Sequence, residues 1–176
     1  MNRRQFIYGT AAVAVPVLVG CDNDDEPIVS IDENYPVGPF GATSTAEEVT
    51  VGLDLTGKTA MVTGCNSGLG FETMRVLAMR GAHVIGTGRN LEKASKACSS
   101  VSGKTTPVAL ELSDFDSIIE CSDTVKKLGY PIDILVCNAG INTFDELDLV
   151  NGVERIFAVN HLGHFVLVNR LMPLLK

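Results

Sequence analysis

The sequence has no surplus of positive charge. Fourteen Lys and Arg face 21 Asp and Glu, a net charge of −7, which argues against nucleic acid as the main partner. It also lacks a regular cysteine pattern: five cysteines without repeating spacing make neither a disulfide scaffold nor a zinc site. Histidine is scarce, with three residues. His161 and His164 are spaced to share a helix face, but no acid or cysteine ligand is near them in sequence, so no metal is expected. No internal repeat is visible, and no apolar run is long enough for a comfortable membrane span. What is present is a 45% hydrophobic composition, enough to build the packed core of one ordinary domain behind a leader.

The leader is residues 1–20, MNRRQFIYGTAAVAVPVLVG. Arg3 and Arg4 precede an apolar run that Pro16 interrupts, the shape of an export signal. NRRQFI resembles a twin-arginine signal. LVGC resembles a bacterial lipobox, which makes Cys21 the expected lipidated residue and the membrane the expected anchor. The chain is thus expected outside the cytoplasm, facing the periplasm or cell exterior, or in the cytoplasm if the leader is not used. Residues 21–52 open with the acidic run DNDDE and contain Pro27, Pro36 and Pro39. Acidic, proline-broken sequence buries little, so this segment is expected to be a solvated tether.

From residue 53 short apolar runs alternate with helical patterns. Strands are expected at residues 59–63, 83–87, 107–112 and 132–137. Helices are expected at 69–80, at 91–100 behind Asn90 as cap, and after Ser113 or Asp114, with Phe115, Ile118, Ile119, Val125 and Leu128 inward. A last helical region is expected at 150–175. Strands separated by helices pair in parallel through right-handed crossovers. The fold class is therefore a doubly wound α/β sheet, Rossmann-like, with strand order 3-2-1-4. Cys98 and Cys121 then fall on opposite faces and should not pair.

The first strand runs into VTGCNSGLGFE, with Gly64, Gly68 and Gly70 between strand and helix. Such a turn brings bare backbone N–H groups and the positive end of a helix to one point, where phosphate binds. The spacing is G-x-x-x-G-x-G rather than the G-x-G-x-x-G of the general dinucleotide fingerprint. Near the end of the second strand the sequence reads GTGRN, with Arg89 and Asn90 where an acid would hold a ribose 2′-hydroxyl. Arginine's fork of donors suits a 2′-phosphate instead, so NADP(H) is expected in preference to NAD(H).

TGCNSGLG, CNAG at residues 137–140 and NHLGHF at 160–165 resemble, in order and spacing, three motifs of the short-chain dehydrogenase/reductase family. The resemblance spans residues 53–176. It implies that Asn66, Ser67, Gly68, Leu69 and Gly70, with Gly64, line the cofactor's diphosphate and adjoining ribose. It places Glu111 and Leu112 near adenine, with Glu111 longer than the family's aspartate, and Asn138, Ala139 and Gly140 beside the nicotinamide-side ribose. Cys137 stands where the family has a first asparagine. Asn160 matches the catalytic asparagine. The implied reaction is hydride transfer between nicotinamide and a small alcohol or carbonyl, in a parent that can be homo-oligomeric. A cytoplasmic cofactor and an exported chain are compatible, because twin-arginine export carries folded proteins.

The family's proton is moved by a tyrosine with a lysine four residues later, and a serine orients the substrate. Tyr8, Tyr35 and Tyr130 are followed at that distance by Ala12, Pro39 and Ile134. We therefore expect these residues to be a fragment of the family domain, ending after the fourth strand and the next helix. Alone, the fragment would bind cofactor at most. The fourth strand would carry an open edge, and the last helix (Phe165, Val166, Leu167, Leu171, Met172) would lack much of its packing surface. The alternatives are a non-catalytic, lipid-anchored dinucleotide-binding module or a truncated remnant.

Overall fold

The computed structural model describes residues 38–142 and 147–176. The expected leader, Cys21 and residues 21–37 of the expected tether lie outside them. Four strands form a parallel sheet in the order β3-β2-β1-β4: β1 (Thr59–Val62), β2 (His83–Gly88), β3 (Thr105–Ala109) and β4 (Ile134–Val136). Before β1 lies a single helical turn, α1 (Ala46–Val49). Between the strands run α2 (Gly68–Met79), α3 (Leu91–Ser99) and α4 (Phe115–Leu128). This is the doubly wound arrangement that the apolar runs imply.

Every residue of β1 and β2 is buried, as a central strand covered on both faces requires. Alternation along the strands divides the core in two. On one face Met61, Ile85 and Val108 pack with Ile118, Cys121 and Val125 of α4. On the other, Ala60, Val62 and Val84 pack with Met74 and Ala78 of α2 and with Ala97 and Cys98 of α3. Cys98 and Cys121 are thus on opposite faces.

Several boundaries differ from the sequence reading. β3 begins at Thr105, where Thr105 and Thr106 pair with Val84 and Ile85. Two threonines suit a partly exposed edge, and Pro107 is tolerated there because an edge strand can spare one N–H. Leu110 and Leu112 lie past the strand but stay buried. On α4 the inward stripe is Ile118, Cys121, Ser122 and Val125, whereas Phe115 and Ile119 are exposed. The stripe at i, i+3, i+4, i+7 orients the helix and leaves Ile119 at its margin.

The segment expected to be tether through residue 52 is folded at its end. Thr45 and Glu48 form a reciprocal capping box around α1. Arg75 of α2 pairs with Glu47, and Arg80 donates to Thr50 Oγ1 at 3.0 Å and to the Glu47 carbonyl at 2.7 Å. Phe40–Lys176 accordingly forms one compact unit.

The expected last helix does not start at Val150. A two-stranded hairpin, β5 (Leu149–Val150) and β6 (Val153–Glu154), turns on Asn151 and Gly152, both at positive φ. Asn-Gly between apolar residues is a strong hairpin signal. Glu154 then caps α5 (Arg155–Phe157), accepting from the Ile156 and Phe157 N–H groups. A π-helical turn (Ala158–Gly163) and α6 (His164–Leu171) follow. Leu167 and Leu171 are fully buried, so α6 finds more packing surface than expected, although Phe165 and Met172 remain exposed. The edge of the fourth strand is partly covered as well. Ile132 N–H donates to the Leu174 carbonyl at 2.8 Å, and Ile132 and Leu175 form a parallel bridge.

Candidate functional site

Beyond the carboxyl ends of β1, β2 and β4 lies a cleft of about 310 Å³. In an open parallel sheet this is where connections diverge on either side of the central strands, and where ligands bind. The turn after β1 supplies Gly64, Asn66 and Ser67, the end of β2 supplies Thr87, Gly88 and Arg89, and the segment after β3 supplies Glu111 and Leu112. Asn138, Ala139 and Gly140 come from the segment after β4.

Thr63 holds two of these segments together. Its Oγ1 accepts from the N–H groups of Asn138 and Ala139, each at 2.9 Å. Its own proton is then free for His164 Nε2, also at 2.9 Å. That makes Nε2 an acceptor and leaves Nδ1–H to donate to the Asn160 carbonyl at 3.3 Å. Burial pushes the His164 pKa down, in keeping with the neutral ring this pattern needs. The Asn138 side chain returns the contact, donating through Nδ2 to the Thr63 carbonyl at 2.9 Å.

Gly70 explains how closely the turn after β1 meets the segment after β4. A Cβ there would lie 2.3 Å from the Gly64 carbonyl oxygen and 2.4 Å from Asn138 Nδ2. Gly68 is different: its φ is +59° and nothing lies within 4 Å of its missing Cβ. One glycine locks two loops, and the other leaves open space at the start of α2. That start is chemically bare. Ser67 precedes it in extended conformation, caps no N–H group with its side chain, and no acid follows in the first turn. Its N–H groups and the helix dipole are available to an anion.

Asn160 lies in the π-helical turn and does not line the cleft. Its Oδ1 accepts from Ile141 N–H and its Nδ2 donates to the Ile141 carbonyl, both at 2.8 Å. This two-point clamp fixes the backbone just past Gly140. Gly68, Leu69 and Gly70 do not line the cleft; Leu69 is exposed and Gly70 buried. Asn90 is also outside it: its Oδ1 accepts from the N–H groups of Glu92 and Lys93, so its place in the structure is the cap of α3. Glu111 is in the cleft with its carboxylate turned onto Ser113, accepting from both the N–H and the hydroxyl. Cys137 does not line the cleft, and the Asn138 contact to Thr63 is intact beside it.

The sequence reading missed Thr87, Gly88, Ser113, Ile141, Arg155 and Val159, which also line the cleft. Thr87 Oγ1 is buried and has no hydrogen-bond partner among the described residues. Arg155 is paired with Asp148. It was hidden by reading residues 150–175 as one helix, when the Asn-Gly turn would have placed it at a helix start. Arg89 is exposed at the cleft and has no carboxylate partner among the described residues.

Residues 58–176 match the short chain dehydrogenase family. The chain belongs to that family. It is 38% identical to the human WW domain-containing oxidoreductase over 156 residues, 83% of this chain and 37% of that protein. Among solved structures it is similar to a metagenomic short-chain oxidoreductase in complex with NADP, with 29% identity, TM-score 0.61, and 68% of this chain and 57% of that one covered. It is also similar to the Pseudomonas aeruginosa RhlG/NADP active-site complex, with 27% identity, TM-score 0.61, and 69% and 48% covered. The chain spans less than half the length of the curated relatives it matches.

The cleft fits the dinucleotide that such a family implies. The bare start of α2 meets it at Ser67, and it is lined by Thr87 and Arg89, whose hydroxyl and guanidinium have no hydrogen-bond and no carboxylate partner, respectively, among the described residues.

Proposed function

We propose that this domain binds NADP(H) and serves hydride transfer to or from a small alcohol or carbonyl compound. The observation that carries the cofactor choice is Arg89: it follows β2 at the cleft with no carboxylate partner among the described residues. A 2′-phosphate supplies the anion that this guanidinium would pair with. The start of α2 with Asn66 and Ser67 would hold the diphosphate, and Asn138, Ala139 and Gly140 the nicotinamide-side ribose. Bound there, the nicotinamide gives or takes the hydride.

The chain's own residues shape this site. Thr63 ties the turn after β1 to Asn138 and Ala139, and Asn160 clamps Ile141. No tyrosine in the 176 residues has a lysine four positions later. These residues therefore do not themselves supply proton transfer by the family's Tyr/Lys pair. The 176 residues alone should bind cofactor without turnover.

The test is to titrate the chain and its Arg89→Asp variant with NADPH and NADH. We expect NADPH to bind the unaltered chain at least about tenfold more tightly, a difference of about 1.4 kcal/mol. In the variant the preference should vanish or reverse. An unchanged NADPH/NADH ratio would remove Arg89 from the site.

The leader motifs support export and membrane attachment through a lipid on Cys21. Metabolic labelling with a radioactive fatty acid should mark the chain and should not mark a Cys21→Ala variant. Equal labelling of both would end the anchor reading.

A further inference from the structure

Three sulfur atoms meet on the α2–α3 face of the sheet, directly beneath the turn after β1. Cys65 belongs to that turn, Met74 to α2 and Cys98 to α3. They surround Gly86 in the middle of β2. A Cβ at Gly86 would stand 2.7 Å from Cys65 Sγ, 2.8 Å from Met74 Sδ and 3.0 Å from Cys98 Sγ. Glycine in a buried strand weakens it. Here the missing Cβ is the space in which the sulfurs lie, so both thiols are within 3.0 Å of one point. Met74 Sδ closes the third side, 3.7 Å from Cys98 Sγ. Cys65 and Cys98 are free thiols and both are buried.

The two thiols act on each other's protons. Cys65 is pushed well above the ordinary thiol range by the neighbouring Cys98 thiol and by burial. Cys98 is drawn down, first by Cys65 and then by Thr105, against the cost of its own burial. The turn that carries Cys65 also forms the cleft wall, since Gly64 and Asn66 on either side of it line the cleft. Cys65 N–H donates to the Thr87 carbonyl at 2.8 Å, which ties it to a second cleft residue.

We propose that Cys65 and Cys98 form a reversible dithiol/disulfide pair whose oxidation by a small-molecule disulfide alters the cofactor cleft from beneath. One thiolate attacks the small disulfide, forming a mixed disulfide and releasing one small thiol. The second protein thiolate attacks the protein sulfur of that bond, forms Cys65–Cys98 and releases the other small thiol. Two protons and two electrons pass from the protein to the oxidant. Both thiols are buried, so the first exchange takes place when the turn after β1 opens; once it recloses, the packed surroundings disfavour the mixed disulfide and exchange runs on to the internal bond. Drawing the two sulfurs to bonding distance pulls the turn toward α3 and shifts Gly64 and Asn66. Coupling is reciprocal at equilibrium, so a bound dinucleotide favours the dithiol by the same factor by which the disulfide weakens binding.

The coupling to the cleft rests on the proposed cofactor reading, whereas disulfide formation does not. The chain carrying Cys137→Ser, which removes an exposed thiol, is incubated with oxidised glutathione and mapped by non-reducing peptide mass spectrometry. We expect a linked pair of peptides containing Cys65 and Cys98, the loss of two hydrogens, and reversal by dithiothreitol. The link should be absent from Cys98→Ala, while Cys121→Ala should keep it. NADPH is then titrated into the reduced and oxidised forms. Affinity should fall about tenfold on oxidation, and saturating NADPH should lower the equilibrium constant for forming the link in a glutathione redox buffer by the same factor. Glutathione left as a stable adduct on either residue, or no change at either, would overturn the pair. A link that forms without changing affinity in a chain that binds NADPH when reduced would overturn its coupling to the cleft. If the reduced chain binds no NADPH, the cofactor reading fails instead, and the mass result still decides the pair.

Discussion

α2 and α3 each follow a central strand of the same sheet, but they begin in opposite ways. α3 starts on its own side chain: Asn90 Oδ1 accepts from Glu92 N–H at 2.7 Å and Lys93 N–H at 3.3 Å, and Glu92 adds an acid to the first turn. α2 starts on Ser67, which caps nothing, with no acid behind it. The α3 start is closed by the protein, whereas the α2 start lies beside a cleft lined by Asn66, Ser67 and Arg89. Leaving a helix start uncapped forgoes about 1 kcal/mol of stability. The difference separates a helix start closed by its own side chain from one whose N–H groups stay open to an anion.

The strongest way to break the comparison is to disturb the glycine that shapes the α2 start. Gly70→Ala would set a Cβ 2.3 Å from the Gly64 carbonyl oxygen, which is backbone and cannot swing aside. We expect a loss of about 2–3 kcal/mol in denaturant unfolding, with NADPH binding abolished. An alanine variant of native stability would mean that the turn and the segment after β4 separate easily.

Ser67→Asp would sharpen it by giving α2 the cap and charge it lacks. Helix stability should rise by up to about 1 kcal/mol, while NADPH affinity falls at least about tenfold, because the new carboxylate competes for the same N–H groups and repels phosphate. A thermal melt and a binding titration measure the two. Tight binding in this variant would show that the α2 start is not where phosphate sits. Asn90→Ala is the converse. It should cost about 1 kcal/mol of stability and leave NADPH affinity within about twofold. A loss of affinity beyond the loss of folded protein would return Asn90 to the cofactor site.

The sequence made some of this legible for a physical reason. Apolar runs such as TAMV and HVIGTG mark central strands because burial on both faces leaves no room for polar alternation. Asn90 was readable as a cap because capping acts over two or three residues. Contacts between distant positions were not readable. Thr63 and His164 stand 101 residues apart, and no local pattern announces their hydrogen bond. Cys65 and Cys98 meet only because α3 packs over β2 at a glycine. The Asn151-Gly152 turn was visible in principle, but was overridden by the apolar spacing further along. Arg155 follows that turn, and Asn160 acts as a clamp only through Ile141, 19 residues away.

The smallest expected effect concerns the same cleft from its far side. Burial lowers the His164 pKa, and His83 is lowered by burial and then by Lys104. In the unfolded chain each would take a proton near pH 6.5. Below that value the unfolded state binds more protons than the folded state, so stability falls with falling pH until the folded pKa is passed. His164→Gln removes one of these two groups and can still accept from Thr63. Denaturant midpoints measured between pH 8 and pH 5 should therefore show a shallower acid-side decline in the variant than in the unaltered chain, with His83 accounting for part of what remains. An identical slope would mean that His164 takes up its proton in the folded protein as readily as in the unfolded chain. Once protonated, the ring could not accept from Thr63, and the hydrogen-bond chain from Asn138 to Asn160 would have to run with the Thr63 proton directed elsewhere.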